Sequence, residues 1–177
     1  MKRLHIAIVY NDCAAAEPEA PEDQGGTAQL RQEIRHIERA LRSLGYRVTV
    51  VPLAQDLLFF QRKLRRMKPD VVFNQYDDVV HGALYEMSVA ALVSMLGYPM
   101  TGSSALALGL TRYKCVCANL LHGAGIPIPA QTELIERIGD VDRCRWTFPL
   151  IVQPSQEDAG IGLERDSVVH TKKALKD

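Results

Sequence analysis

Short apolar runs alternate with amphipathic stretches that end in glycine, and this alternation constrains the fold more than any other feature of the chain. Residues 4–10 (LHIAIVY) form an apolar run of strand length. In the next stretch Leu30, Ile34, Ile37, Leu41 and Leu44 recur with a helical period on one face. Thr27 is placed to cap that helix and Gly45 to end it. Residues 12–26 between them are acidic, rich in Ala and Pro, and read as a loop. Residues 47–52 predict a second strand and residues 55–67 a second helix. Leu57, Phe60, Leu64 and Met67 form its inner face, while Arg62, Lys63, Arg65, Arg66 and Lys68 make the other side basic. Residues 70–74 predict a third strand, residues 82–96 a mostly apolar helix closed by Gly97, and residues 98–101 a short fourth strand. The expected fold is α/β: an open parallel sheet flanked by helices on both faces and joined by right-handed crossovers, a Rossmann-like arrangement.

Composition removes several classes of function. The 21 Lys and Arg balance the 21 Asp and Glu, so net charge gives no case for nucleic acid or a membrane surface as partner. No apolar run approaches the roughly 20 residues that a membrane helix needs. The four cysteines, Cys13, Cys115, Cys117 and Cys144, form no C-x-x-C pair and read as reduced thiols of a cytoplasmic protein. Neither G-x-G-x-x-G after the first strand, nor a P-loop, nor the G-x-S-x-G elbow of serine hydrolases occurs.

In an open parallel sheet, ligands bind beyond the carboxyl ends of the strands. Three segments fall there: Tyr10-Asn11-Asp12, Asn74-Gln75-Tyr76-Asp77-Asp78 and Thr101-Gly102-Ser103-Ser104. Asn74, Tyr76, Gly102 and Ser103 are the candidate substrate-binding residues. Asp77, Asp78, His81 and Glu86 match no metal-ligand spacing, so no metal ligand is assigned.

From residue 111 the organisation changes. Residues 111–124 read as a helix with Val116, Leu120, Leu121 and Ala124 inward and Gly125 at its end. Ile126-Pro127-Ile128-Pro129 forces an extended link. Residues 131–135 are a possible strand, residues 136–147 a polar stretch with a turn of helix, and residues 148–153 a strand entering a Gly-bearing loop. Exposed N–H groups in such a loop can face anionic oxygens.

Four segments carry a resemblance: PDVVFN, YEMSVAALVSMLGYPMTGSSALALGLTRYK, LLHGAGIPIP and FPLIVQPSQEDAGIG. In order and spacing they resemble the D-alanine–D-alanine ligase family of ATP-grasp ligases. The resemblance implies a pre-ATP-grasp domain over residues 1–110, and an incomplete α+β ATP-grasp lobe over residues 111–177. It implies ATP-dependent formation of an acyl phosphate on a small carboxylate or amino acid, followed by attack of an amine, with ATP and Mg as cofactors. On this basis Lys114, Gln153, Ser155 and Gly160 are the candidate nucleotide-binding residues, Lys114 standing where the family has a phosphate-contacting lysine.

The chain departs from the family pattern at several points. Gln153 stands where the family expects a second phosphate-contacting lysine, and Asp158-Ala159-Gly160 where it expects serine. YDDVVHGALYE replaces a His-Gly start and a Gly-Glu-Asp-Gly element. The loop of residues 12–26 lacks the family's amino-acid-binding motif, so D-alanine specificity is not implied. The metal-holding acidic residues of the family have no counterpart before Asp177. The resulting expectation is a truncated ligase that is inactive alone and is completed by a homodimer partner or a complementing chain. The alternative expectation is a pseudoenzyme, a non-catalytic module binding a small molecule or nucleotide. The last residues, from about 166 onward, are expected to form a strand and a weakly anchored helix.

Overall fold

The computed structural model describes residues 3–11, 24–54, 56–77, 83–129, 132–157 and 162–177. The loop expected over residues 12–26 therefore lies outside the described residues up to position 23. Two compact units are present, Met1–Leu106 and Ala107–Asp177.

The first unit is built on three parallel strands, β1 (His5–Asn11), β2 (Arg47–Leu53) and β3 (Val71–Gln75), in the order β2-β1-β3. Every residue of β1 is buried, as befits a central strand covered on both faces. The two-residue side-chain period sorts it cleanly. Ala7 and Val9 face a cluster containing Phe60 and Leu64 of α2 (Leu57–Met67) and Val89 and Val93 of α3 (Ala83–Met95). Ile8 and Tyr10 face the opposite side, where α1 (Gln24–Ser43) brings Ile34, with Leu30, Ile37 and Leu41 packed around it. The α/β sandwich legible in the sequence is the fold observed.

The details differ in three places. α1 begins at Gln24, so Thr27 lies within the helix rather than at the position before it. Leu44 is 70% exposed. It sits where the chain leaves the helix: Tyr46 N–H donates to Leu41 O and Gly45 N–H to Arg42 O, a reversal that Gly45 permits with φ of +88°. The fourth strand shrinks to one parallel bridge between Val72 and Met100, supported by Val72 N–H to Pro99 O (2.8 Å) and Thr101 N–H to Val72 O (3.0 Å). Pro99 has no N–H to extend that ladder.

The amino ends of the strands are tied by a polar cluster around His5, which is buried. Its backbone N–H donates to Asp70 Oδ2 at 2.8 Å. Arg47 can only donate, so its 2.7 Å contact makes His5 Nδ1 an acceptor. The ring proton then belongs on Nε2, 2.9 Å from Thr49 Oγ1, and the imidazole is neutral. Burial first, and the Arg47 charge second, push its pKa below the ordinary 6.5, while Asp70 pulls the other way.

Two predictions follow from this unit. A depressed histidine pKa means that the unfolded chain binds the proton more readily than the folded one. The stabilising contribution of neutral His5 is complete above pH 6.5 and is lost as pH falls below it. Denaturant midpoints should drop between about pH 7.5 and 5.5, and His5→Gln should flatten that dependence. Lys68, which ends α2, adopts the left-handed conformation at φ 48° and ψ 62°. Lys68→Gly should raise stability by about 0.5–1 kcal/mol, seen as a higher melting temperature; a lower one would contradict this account.

Candidate functional site

The carboxyl end of the sheet brings two of the candidate segments together. Asn74 N–H donates to Thr101 Oγ1 at 3.0 Å, which pins the end of β3 to the segment before Gly102. Asn74 Oδ1 accepts from Tyr76 N–H at 3.2 Å, and Gln75 Nε2 donates to Asn74 O at 3.1 Å. The Asn74 side chain thus holds the turn that leaves the strand. Tyr76 is 5% exposed and packs in the core cluster with Val72 and Val89, so its ring is part of the core. Gly102 adopts φ of +95° with open space on its Cβ side, and Ser103 beside it is exposed. Both precede α4 (Ala105–Arg112). Asp78 and His81 lie outside the described residues.

In the second unit the helix expected over residues 111–124 is interrupted. α4 ends at Arg112, Tyr113 takes φ −91° and ψ 89°, and α5 (Lys114–Gly123) starts afresh. The cause is a competing acceptor: Lys114 N–H donates to Ser155 O at 3.2 Å. The ammonium of the same residue donates to Pro154 O at 3.0 Å and to Glu157 O. Lys114 therefore fastens the first turn of α5 to the loop that follows β4 (Leu150–Ile151). Val116, Leu120 and Leu121, expected to face inward, are 46%, 53% and 36% exposed, and α5 buries none of its residues.

β4 pairs antiparallel with β5 (Val168–Val169), and Val152 N–H donates to Ser167 O at 2.8 Å. The strand expected over residues 148–153 is shortened because Pro149 and Pro154 bracket it without N–H donors. Residues 132–135 form no strand. Residues 138–142 form a 3₁₀ turn. Gly162 closes the far side of the loop: a Cβ there would lie 2.6 Å from Pro154 Cγ, and φ is +71°. The last helix, α6 (Lys172–Lys176), is better held than the sequence implied. Thr171 Oγ1 caps it, and Lys172 and Lys176 reach Asp142 at 2.9 and 2.7 Å. Hydrogen bonds from Lys176 and Lys172 hold the Asp142 carboxyl below the usual carboxylate range.

These elements enclose a cavity of about 340 Å³ lined by Lys114, Gln153 and Ser155. Three of the four nucleotide-site candidates are thus brought together, and Gly160 lies outside the described residues. Trp146, Leu150, Ile151 and Cys115 complete its walls and were not singled out in the sequence. Trp146 is the one tryptophan of the chain, which was the available signal; it stands in a segment that otherwise reads as polar. Its indole N–H donates to Val141 O at 2.7 Å, which fixes the ring. Among the described residues no group of three or more His, Cys, Asp or Glu side chains is placed to hold a metal ion. No helix among the described residues is long and apolar enough to cross a membrane.

Comparison with known proteins now bears on these features. No protein-family model matches the chain. The D-alanine–D-alanine ligase of Marinomonas sp. (strain MWYL1) is 30% identical over 172 residues, covering 93% of this chain and 49% of that protein. That of Chelativorans sp. (strain BNC1) is 29% identical over 164 residues, covering 92% and 47%. That of Zymomonas mobilis is 32% identical over 130 residues, covering 73% and 38%. Over most of its length the chain is similar to D-alanine–D-alanine ligases. It spans about half the length of the curated relatives it matches.

The close contact at Gly162 gives a test of the loop. Gly162→Ala should destabilise the second unit by about 1–3 kcal/mol in urea titrations. Gly139→Ala, with nothing within 4 Å of the added Cβ, should leave the midpoint nearly unchanged. Equal effects of the two would remove the Pro154–Gly162 packing from the account.

Proposed function

We propose that the chain serves ATP-dependent carboxylate–amine ligation of the D-alanine–D-alanine ligase type. In this reading the first unit, through Asn74, Gly102 and Ser103 at the carboxyl end of the sheet, meets the small carboxylate or amino-acid substrate. The second unit, through Lys114, Ser155 and the loop after β4, meets the nucleotide. The observation that carries the reading is the junction of Lys114 with residues 154–157: two motifs 40 positions apart in sequence close on one cavity. ATP, when bound, supplies the phosphoryl group that activates a carboxylate. The protein's part is to position that nucleotide and to exclude water from the cavity under the loop. A cytoplasmic setting accompanies the proposal, and Cys115, Cys117 and Cys144 are free thiols. So does a second chain, either another copy or a complementing one, which would cover the exposed Val116, Leu120 and Leu121.

One observation favours a second reading, a binding module without turnover. Gln153 stands on the cavity wall where the family pattern has a cation, and an amide brings no charge to a phosphate.

Titration calorimetry with Mg-ATP, supported by a thermal shift, tests the nucleotide half of the proposal. ATP at about 100 times its dissociation constant should stabilise the fold by roughly 2.7 kcal/mol. Lys114→Ala should weaken binding about tenfold, roughly 1.4 kcal/mol, with circular dichroism confirming the fold. Absence of both heat and shift at millimolar ATP would refute the nucleotide role. ATP binding with no product from any amino acid supplied would favour the binding module.

A further inference from the structure

Gln153 forms part of the wall between two cavities of the second unit. The first, of about 340 Å³, has Lys114 and Glu133 as its charged lining residues among those described, so its formal charges cancel. The second, of about 540 Å³, carries Glu164, Asp166 and Asp177 and no Lys or Arg among its described lining. Lys114 already uses two of its three ammonium hydrogens on the carbonyls of Pro154 and Glu157. A polyphosphate laid along Gln153 would therefore meet one half-committed cation and a basin of carboxylates. The walls of the first cavity offer something else: the fixed indole of Trp146 and the aliphatic side chains of Leu150 and Ile151. Its volume lies near the lower end of the roughly 300–1,000 Å³ typical of ligand pockets.

Resting on the nucleotide reading above, we infer that this cavity selects the uncharged, flat part of its ligand, a molecule of nucleoside size, and gains little from a phosphate chain. Gln153 sets that preference by placing a neutral amide where charge recognition would need a cation. Lys114 is then a positioning residue: it shapes the cavity by holding residues 154–157, and its contribution is the same whether or not phosphates are present.

The test is titration calorimetry of the whole chain with adenosine, ADP and ATP, without magnesium, at about 50 and 300 mM salt. The inference expects the three dissociation constants to agree within about threefold and to change little with salt. Gln153 is exposed, so Gln153→Lys should fold normally; it should tighten ATP about tenfold or more and leave adenosine unchanged. Lys114→Ala should weaken adenosine and ATP by the same factor. A wild-type chain that binds ATP at least about tenfold more tightly than adenosine, or a Gln153→Lys variant without new preference for ATP, would overturn the inference while the nucleotide reading stands. Absence of binding by all three ligands would overturn both.

Discussion

The second unit depends on what one lysine does with its hydrogen-bond donors. Lys114 gives its backbone N–H to Ser155 and its ammonium to Pro154 and Glu157, so helix α5 and the loop after β4 are fixed to each other at three carbonyls. Little else is available for the task. β4 and β5 are two residues each, α5 buries no side chain, and Val141 and Val169 are the buried hydrophobic residues described in this unit. A lobe with so small an apolar core relies on directed bonds to define its shape. The break at Tyr113 belongs to the same constraint. An N–H committed to a distant carbonyl cannot also continue the helical ladder, so α4 and α5 separate where the loop demands it.

The first unit is organised by the opposite principle, and this difference explains what could be read from sequence. Its sheet and helices follow from periodicity: alternate residues of β1 face alternate sides, and each helix offers one apolar stripe to the side it covers. Such patterns are local, and Leu30, Ile34, Phe60 and Leu64 were placed correctly from spacing alone. The errors lie where the local pattern runs out. Leu44 continues the stripe of α1 in spacing, yet the helix has already turned away at Gly45. Val116, Leu120 and Leu121 repeat as an inward face should, but they have no apolar layer to pack against. Periodicity reports that a face is apolar; burial requires a partner surface, which no single segment encodes.

The candidate site was legible to the extent that it rests on motif text, and less so where it rests on contacts. Lys114, Gln153 and Ser155 were picked out by their setting in recognisable segments, and they do share a cavity. The walls of that cavity were not foreseen. Trp146 comes from a polar, turn-rich stretch and reaches the site through a hydrogen bond to Val141, five residues away. Tyr76 shows the converse. A polar-tipped aromatic at a strand end reads as a ligand contact, but the Asn74 turn directs it into the core.

The position of Lys114 also separates two roles that motif recognition merges. A lysine in a nucleotide lobe is usually read for its charge, and the geometry gives it a bonding role that neutral carbonyls satisfy. A fold-holding role of this kind keeps a lysine in place whatever the charge of the ligand, because removing it would leave the loop carbonyls of residues 154–157 without their donor. Gln153 has no such tie among its described contacts, so its side chain is at liberty to follow the chemistry of the ligand. The pair therefore answers two physical questions. Lys114 ties α5 to the loop at the edge of the cavity, and Gln153 presents a neutral amide on its wall. A sequence that retains the first residue and changes the second keeps the junction of helix and loop while changing the charge presented on the cavity wall.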